Sequence, residues 1–276
     1  MSLDGYSGLR EKHIVIIGAA SLLGYQYAKT LAELGVDIDI IDEKSARLQS
    51  LRAEIHANYP QSDCTMISID NSNNQAIHEY IESLDESISV DTEIVLLNCA
   101  VPDAVWTTPV QLTKSEEQSP QQAKLQGSEQ LESAMMWSKR LGSLFAKRGK
   151  GTIVNAVYEG CPLSNADSDV HDDTQEQNIT SMVNSVVKLG AKGFTQYLAD
   201  QWPDNKVNCS AIVVRSGMQL FDMPNDEDIY TYQREAAPES PWLEEAIGYL
   251  LGAESVEVNG QVVEMNQPFT KLEKAL

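Results

Sequence analysis

The sequence is short of positive charge. Its 276 residues include 20 lysines and arginines against 41 aspartates and glutamates, which gives a formal net charge of −21 at pH 7. A surface this acidic repels nucleic-acid phosphates and anionic lipid headgroups, so we expect neither a nucleic acid nor a membrane as partner. Long apolar runs are missing too, and the N-terminus lacks the basic and apolar regions of a secretory signal, so we expect a cytoplasmic protein.

Cysteine and histidine are scarce, with four of each. The cysteines are Cys64, Cys99, Cys161 and Cys209, which are widely spaced and include no CxxC pair. Such scattered thiols are typical of core residues in a protein from a reducing compartment. The histidines show no metal-ligand spacing. The composition therefore predicts buried, reduced thiols and no metal site.

The sequence does contain a regular alternation of apolar strands and amphipathic helices. The β-branched run at His13–Ile17 is typical of a parallel strand that is buried on both faces. The predicted strands are His13–Ile17, Val36–Ile41, Thr65–Ile69, Glu93–Leu97, Thr152–Val157, Val207–Val214 and Gln261–Met265, and the predicted helices are Tyr25–Leu34, Ser45–Tyr59, Asn74–Leu84, Leu125–Lys147, Met182–Trp202 and Trp242–Leu251. Strands that alternate with helices form a parallel sheet with right-handed crossovers. We therefore predict a single doubly wound α/β domain of Rossmann type over residues 1–276, with about seven strands and helices on both faces of the sheet.

Two polar stretches interrupt this alternation. Residues 107–122 predict a loop or a short exposed helix. Residues 164–178 are polar and acidic without any periodicity, which predicts an excursion over the surface.

A glycine-bearing segment, Gly18–Gly24, lies between the first predicted strand and the first predicted helix. At this place the N-terminus of a helix offers unpaired N–H groups and the positive end of its dipole to a diphosphate. Asp42 ends the second strand, 18 residues after Gly24, where an acid accepts hydrogen bonds from a ribose diol and repels a 2′-phosphate. The pattern predicts a site that binds NAD in preference to NADP. A Rossmann-like domain with a tight turn and no nucleotide is the alternative.

These features resemble the short-chain dehydrogenase/reductase family, and the resemblance extends over about Leu9–Pro268. The family's T-G-x-x-x-G-x-G motif falls on Ile17–Gly24, its adenine-side acid after the third strand falls on Asp70, and its N-N-A-G motif falls on residues 98–101. The resemblance implies hydride transfer between a nicotinamide and a carbonyl or alcohol carbon. The cofactor-binding residues that it implies are Gly18, Ser21, Leu22, Leu23, Gly24, Asp42, Asp70, Asn98, Ala100 and Lys188.

The residues that perform catalysis in the family are largely replaced here. The lysine of the family's Y-x-x-x-K helix falls on Lys188, but its tyrosine falls on Asn184, and a carboxamide has no proton to give at neutral pH. The family's serine falls on Val157 or Tyr158, and the asparagine of its water relay falls near Gln130.

The cofactor motifs are altered as well. The middle glycine of the turn is Leu22, whose side chain would crowd the diphosphate, and the last glycine of N-N-A-G is Val101. These replacements predict a protein that kept the fold but is non-catalytic or impaired in cofactor binding, and that acts by binding a small molecule in its cleft. The main alternative is an NAD(P)-dependent oxidoreductase with rearranged catalytic groups, in which Tyr158 works with Lys188 on a carbonyl or alcohol of a small molecule such as a sugar derivative. A lyase or isomerase in the same cleft is a third hypothesis.

The resemblance also implies association through two long helices, about residues 125–147 and 182–202. We therefore expect a homodimer or tetramer, or a complex with a catalytically active relative.

Overall fold

The structure is a computed structural model that describes residues 8–99, 120–159, 189–202, 207–215, 251 and 258–265. The strands are β1 (Lys12–Ile17), β2 (Asp37–Asp42), β3 (Cys64–Ser68), β4 (Glu93–Asn98), β5 (Thr152–Glu159), β6 (Asn208–Arg215) and β7 (Val262–Met265). The helices are α1 (Leu22–Glu33), α2 (Ser45–Asn58), α3 (Asn74–Ser87) and α4 (Pro120–Arg148), and the described part of a further helix, α5, is 189–201.

The strands form one sheet in the order β3-β2-β1-β4-β5-β6-β7, and every neighbouring pair is parallel. The chain runs outward from β1 to β3 and then returns to place β4 on the other side of β1. The strand order therefore reverses between β1 and β4, and in such sheets ligands bind in the crevice above the carboxyl ends of these two strands. The predicted doubly wound parallel fold is confirmed.

Helices cover both faces of the sheet. Successive side chains of a strand point to opposite faces, so each central strand contributes side chains to two separate clusters. Ile14 and Ile16 of β1 belong to a buried cluster with side chains of α1 and α2. Val15 and Ile17 belong to a second cluster on the other face, with side chains of α3, α4 and α5. This second cluster includes Trp137, which is among the largest fully buried side chains.

Two helices begin earlier than the sequence indicated. α1 begins at Leu22, inside the predicted turn, because the Ser21 hydroxyl caps the helix by accepting the Gly24 N–H at 3.1 Å. The described part of α4 begins at Pro120, within the stretch assigned to a loop or short exposed helix, and its apolar periodicity becomes visible only further along. Of the predicted late helix only Leu251 is described, as helical, and residues 164–178 lie outside the described residues.

Three of the four cysteines lie within the described residues. Cys64, Cys99 and Cys209 are free and buried, which confirms the prediction of core thiols for these residues, while Cys161 lies outside the described ranges. Within those same ranges, no helix combines the length and the apolar character that crossing a bilayer requires.

Candidate functional site

The turn that follows β1 lies at the crevice and is fastened to β2. Gly18 has a φ of +73°, a conformation that glycine adopts without strain. The N–H groups of Gly18 and Ala19 both donate to the carbonyl of Ile41, at 2.9 and 3.2 Å. Because Ile41 is the penultimate residue of β2, these bonds fix the turn relative to the neighbouring strand.

Ser21 fastens the same turn to β4. Its hydroxyl donates to the carbonyl of Cys99 at 3.0 Å, directly after the end of β4, and accepts the Gly24 N–H. Ser21 is buried, so these bonds form away from competing water. The turn is thus held from both strands that flank β1.

The absence of a side chain at Gly24 allows the first turn of α1 to pack directly against the backbone of Gly18 and Ala19. A Cβ atom at this position would lie 2.3 Å from the Gly18 carbonyl oxygen and 2.8 Å from the Ala19 Cα. The first residues of α1, Leu22 and Leu23, precede any intrahelical acceptor, so their N–H groups face out of the helix end. A phosphate group is a natural acceptor for such a pair of N–H groups. Leu22 is described in its backbone only.

Asp42 stands beside the turn at the end of β2. Its Oδ2 accepts the Ala20 N–H and its Oδ1 accepts the Lys44 N–H, both at 3.1 Å. Each carboxylate oxygen has two acceptor sites, so each can also accept a ribose hydroxyl. Asp42 therefore has two functions in this geometry: it orders the turn and offers acceptors at the edge of the crevice.

Arg47 is a neighbour of this edge that the sequence reasoning missed. Its Nη1 lies 3.5 Å from the Ala20 carbonyl oxygen, which brings a guanidinium from α2 to the turn. In Rossmann folds an arginine near this place accommodates the 2′-phosphate of NADP, whereas the acid favours NAD. The signal in the sequence was a basic residue on the helix that follows β2, five positions after Asp42.

Asp70 lies after β3 in an exposed turn. Its Oδ1 accepts the Ser72 N–H at 2.7 Å, and its carbonyl accepts the Asn73 N–H at 2.8 Å. Hydrogen bonding from Ser72, chiefly from its backbone, holds the pKa of Asp70 below its ordinary value. The Ile69 N–H donates to the Asp42 carbonyl at 3.1 Å, so this turn adjoins the end of β2. An ionised carboxylate here can accept a hydrogen bond from an exocyclic amino group.

A buried polar cluster lies where β4, β5 and α4 meet. Asn98 Nδ2 and the Ser138 hydroxyl both donate to Asn155 Oδ1, at 3.3 and 3.2 Å. Asn98, the last residue of β4, thus joins β4 to β5 at the carboxyl edge of the sheet.

The positions carried over from the family's catalytic set fall mostly outside this description. Asn184, Lys188 and Ala100 lie outside the described residues, and Gln130, Val157 and Tyr158 are described in their backbones only. The backbone of β5 passes the end of β4, because Asn155 pairs with the last residue of β4 and three residues later Tyr158 pairs with Val214 of β6. The topology therefore brings position 158 to the edge of the sheet that bears the glycine turn.

The strand order and the turn at the switch point define an α/β protein of the Rossmann class. A family model described as short chain dehydrogenase matches residues 12–220. The chain therefore belongs to the short-chain dehydrogenase family, a family of oxidoreductases that typically bind NAD(P), and the resemblance noted in the sequence is confirmed.

Solved structures agree on the fold. A short chain dehydrogenase from Bacillus anthracis str. 'Ames Ancestor' has a TM-score of 0.60 and 21% identity, with 93% of this chain and 95% of that chain covered. A citronellol catabolism dehydrogenase from Pseudomonas aeruginosa PAO1 has a TM-score of 0.59 and 16% identity, with 93% and 94% covered. No curated protein matches the chain.

Proposed function

We propose that this protein binds a dinucleotide, NAD(H) in preference to NADP(H), in the crevice above β1 and β4, and that its hydride-transfer chemistry is impaired or lost. The observation that carries the proposal is a contrast. The Gly18–Gly24 turn is fastened by hydrogen bonds to Ile41 of β2 and to Cys99 after β4, whereas Asn184 occupies the position of the family's proton donor.

Support for binding comes from the preorganised turn. The hydrogen bonds to Ile41 and Cys99 hold the end of α1 in place before any ligand arrives, so binding costs little ordering of this segment. Asp42 presents its carboxylate at the same edge, where it would accept ribose hydroxyls and repel a 2′-phosphate. Arg47 lies close enough to weaken that repulsion, so the preference for NAD is a testable part of the proposal.

Support for impaired chemistry comes from the carried-over positions. A carboxamide at Asn184 can hold a carbonyl or alcohol oxygen by hydrogen bonds, but it cannot exchange a proton with that oxygen near neutral pH. The chain retains Lys188, whose ammonium group can bind ribose hydroxyls. In the family this lysine lowers the pKa of the tyrosine, but position 184 here has no phenol. A pocket of this kind would bind a cofactor and a small molecule without turnover, as a sensor or as an inactive subunit beside an active relative.

A second candidate function is a working oxidoreductase in which Tyr158 replaces the missing tyrosine. The backbone register of β5 favours it, because position 158 lies past the end of β4 at the crevice edge. The phenol would need to reach both the substrate oxygen and the Lys188 ammonium.

Calorimetric titration with NAD, NADH, NADP and NADPH, followed by turnover assays with carbonyl and alcohol compounds that include sugar derivatives, tests both candidates. We expect binding of NADH without measurable turnover. Asn184→Tyr is expected to increase hydride transfer by about 100-fold or more, within the usual range for a general acid or base. Turnover by the wild-type protein that Tyr158→Phe abolishes would favour the second candidate instead, and absence of dinucleotide binding would refute the proposal.

We also propose that the protein forms dimers through α4 and α5. These helices pack side by side, since a Cβ at Gly190 would lie 3.1 Å from Leu131. Their outer surface leaves Met135, Leu189 and Tyr197 49%, 67% and 58% exposed. Large apolar side chains on adjoining helices are typical of a surface that another subunit covers.

A further inference from the structure

Two side chains of α4, about one helical turn apart, form hydrogen bonds with the segment that follows Asp70. Trp137 Nε1 donates to Asn71 Oδ1 at 2.9 Å. Arg140 Nη2 donates to Asn74 Oδ1 at 2.7 Å, and its Nη1 donates to the Asn74 carbonyl at 3.2 Å. Because residues three apart lie on one face of a helix, both side chains reach the same segment, 71–74.

Trp137 is itself held firmly. It is fully buried, and its ring packs edge-on against Tyr80, with 6.1 Å between the ring centroids. The Tyr80 hydroxyl donates to Asp39 Oδ2 at 2.7 Å, and Asp39 Oδ1 lies 3.1 Å from Nε2 of His13. The indole is therefore anchored through α3 to the neighbouring strands β1 and β2.

The segment between the two contacts is the one that orients Asp70. Asp70 Oδ1 accepts the Ser72 N–H, and the Asn73 side chain caps α3 by accepting the Ala76 N–H at 3.1 Å. The other hydrogen bonds of the segment are local: the Asn73 N–H donates to the Asp70 carbonyl at 2.8 Å, and the Asn74 N–H donates to the Ser72 carbonyl at 3.1 Å. The bonds at Asn71 and Asn74 differ from these because they connect the segment to α4.

We propose that Trp137 and Arg140 are positioning residues for the adenine end of a bound nucleotide, and that they act by holding the 71–74 segment so that the Asp70 carboxylate faces the crevice. Neither residue contacts the crevice edge formed by Gly18 and Asp42, so their effect is confined to the adenine end. This inference rests on the proposed function, since it assumes that the crevice takes an adenine nucleotide.

The test compares Trp137→Phe with Thr152→Val. Each variant removes one hydrogen bond of a buried side chain, but only the first removes a bond to the 71–74 segment. On the surface, Arg140→Gln is compared with Lys139→Gln, because these neighbours are both cationic and only Arg140 bonds to Asn74. Two quantities are measured for each protein: the affinity for 5′-AMP and for NADH by calorimetry, and the amide hydrogen exchange of Ser72 and Asn73.

We expect Trp137→Phe and Arg140→Gln each to weaken 5′-AMP and NADH binding about three- to tenfold, the usual effect of one lost hydrogen bond, and to speed exchange at Ser72 and Asn73. Thr152→Val and Lys139→Gln should leave both quantities near wild type. Equal affinities and exchange rates in the variants and their controls would overturn the inference. If the wild-type protein binds no adenine nucleotide, the proposed function fails, and the exchange rates alone then decide whether α4 holds this segment. Should Trp137→Phe fail to fold, the Arg140 pair gives the same decision.

Discussion

Replacing Gly24 by alanine tests how closely α1 must approach the glycine turn. The added Cβ would lie 2.3 Å from the Gly18 carbonyl oxygen and 2.9 Å from the Gly18 carbonyl carbon. Both atoms belong to the backbone, so no side chain can rotate away to relieve the contact. The helix and the turn would have to separate by roughly 0.7 Å before the Cβ–O distance reached 3.0 Å, the shortest that real Cβ atoms tolerate.

Two opposing effects set the size of the change. Overpacking of this kind costs about 1–3 kcal/mol, and alanine regains about 1 kcal/mol over glycine in a helix interior. We therefore expect Gly24→Ala to lower the free energy of unfolding by up to about 2 kcal/mol, which corresponds to a fall in Tm of up to about 8 °C for a chain of this size. Because the displaced atoms belong to the turn that is proposed to bind the diphosphate, NADH affinity should fall about tenfold or more.

Gly8→Ala is the control, because a Cβ at Gly8 meets no heavy atom within 4 Å and Gly8 lies outside α4 and α5. This variant should be slightly more stable than wild type and bind NADH equally well. The assays are thermal unfolding and calorimetric titration. If Gly24→Ala matches Gly8→Ala in both assays, the inference that α1 must approach the turn closely is wrong.

Asp42→Ala should weaken NADH binding about tenfold or more, because charge-assisted bonds to ribose hydroxyls are lost. The same change should reduce the difference in affinity between NADH and NADPH. An unchanged ratio of the two affinities in competition assays would contradict this prediction. Lys147 donates to Asp85 at 2.9 Å and holds the pKa of that carboxyl below its ordinary value. We therefore expect wild type to be more stable than Asp85→Asn above pH 4, by less than about 1 kcal/mol because the pair lies at the surface. This difference in the free energy of unfolding should vanish as the pH falls through the lowered pKa. Denaturant titrations at several pH values measure it, and a difference that persists at low pH would refute the assignment. Tyr197→Glu should convert a dimer of twice 30.5 kDa into monomers in light scattering, while Val90→Glu, which replaces an exposed residue elsewhere, should not; a monomeric wild type would reject the dimer.

The sheet was predictable because its signal is local. The run Ile14–Ile17 is buried from end to end, and a continuous β-branched segment of that kind is typical of a parallel strand. The glycine turn followed from its place between strand and helix. The start of α1 could not be predicted in this way. The cap formed by Ser21 depends on the rotamer of its side chain and on the carbonyl after β4, and the spacing of residues in the sequence indicates neither.

The contacts that complete the candidate site were beyond sequence reasoning for a different reason. Trp137 and Asn71 are 66 residues apart, and their bond depends on how α4 is rotated and shifted over the sheet. The same holds for Arg47, whose approach to Ala20 requires the actual packing of α2 on β2. Periodicity indicates which face of a helix is buried, but not which polar group meets which partner across an interface.

The hydrogen bonds that fasten the glycine turn in the described residues come from residues 18–47 and from Cys99, whereas the positions carried over for catalysis lie at 130 and beyond. Substitutions at those positions therefore remove none of these bonds, and selection can act on the two regions separately. Under the proposed function, a lineage can abandon turnover and still respond to the ratio of oxidised to reduced cofactor.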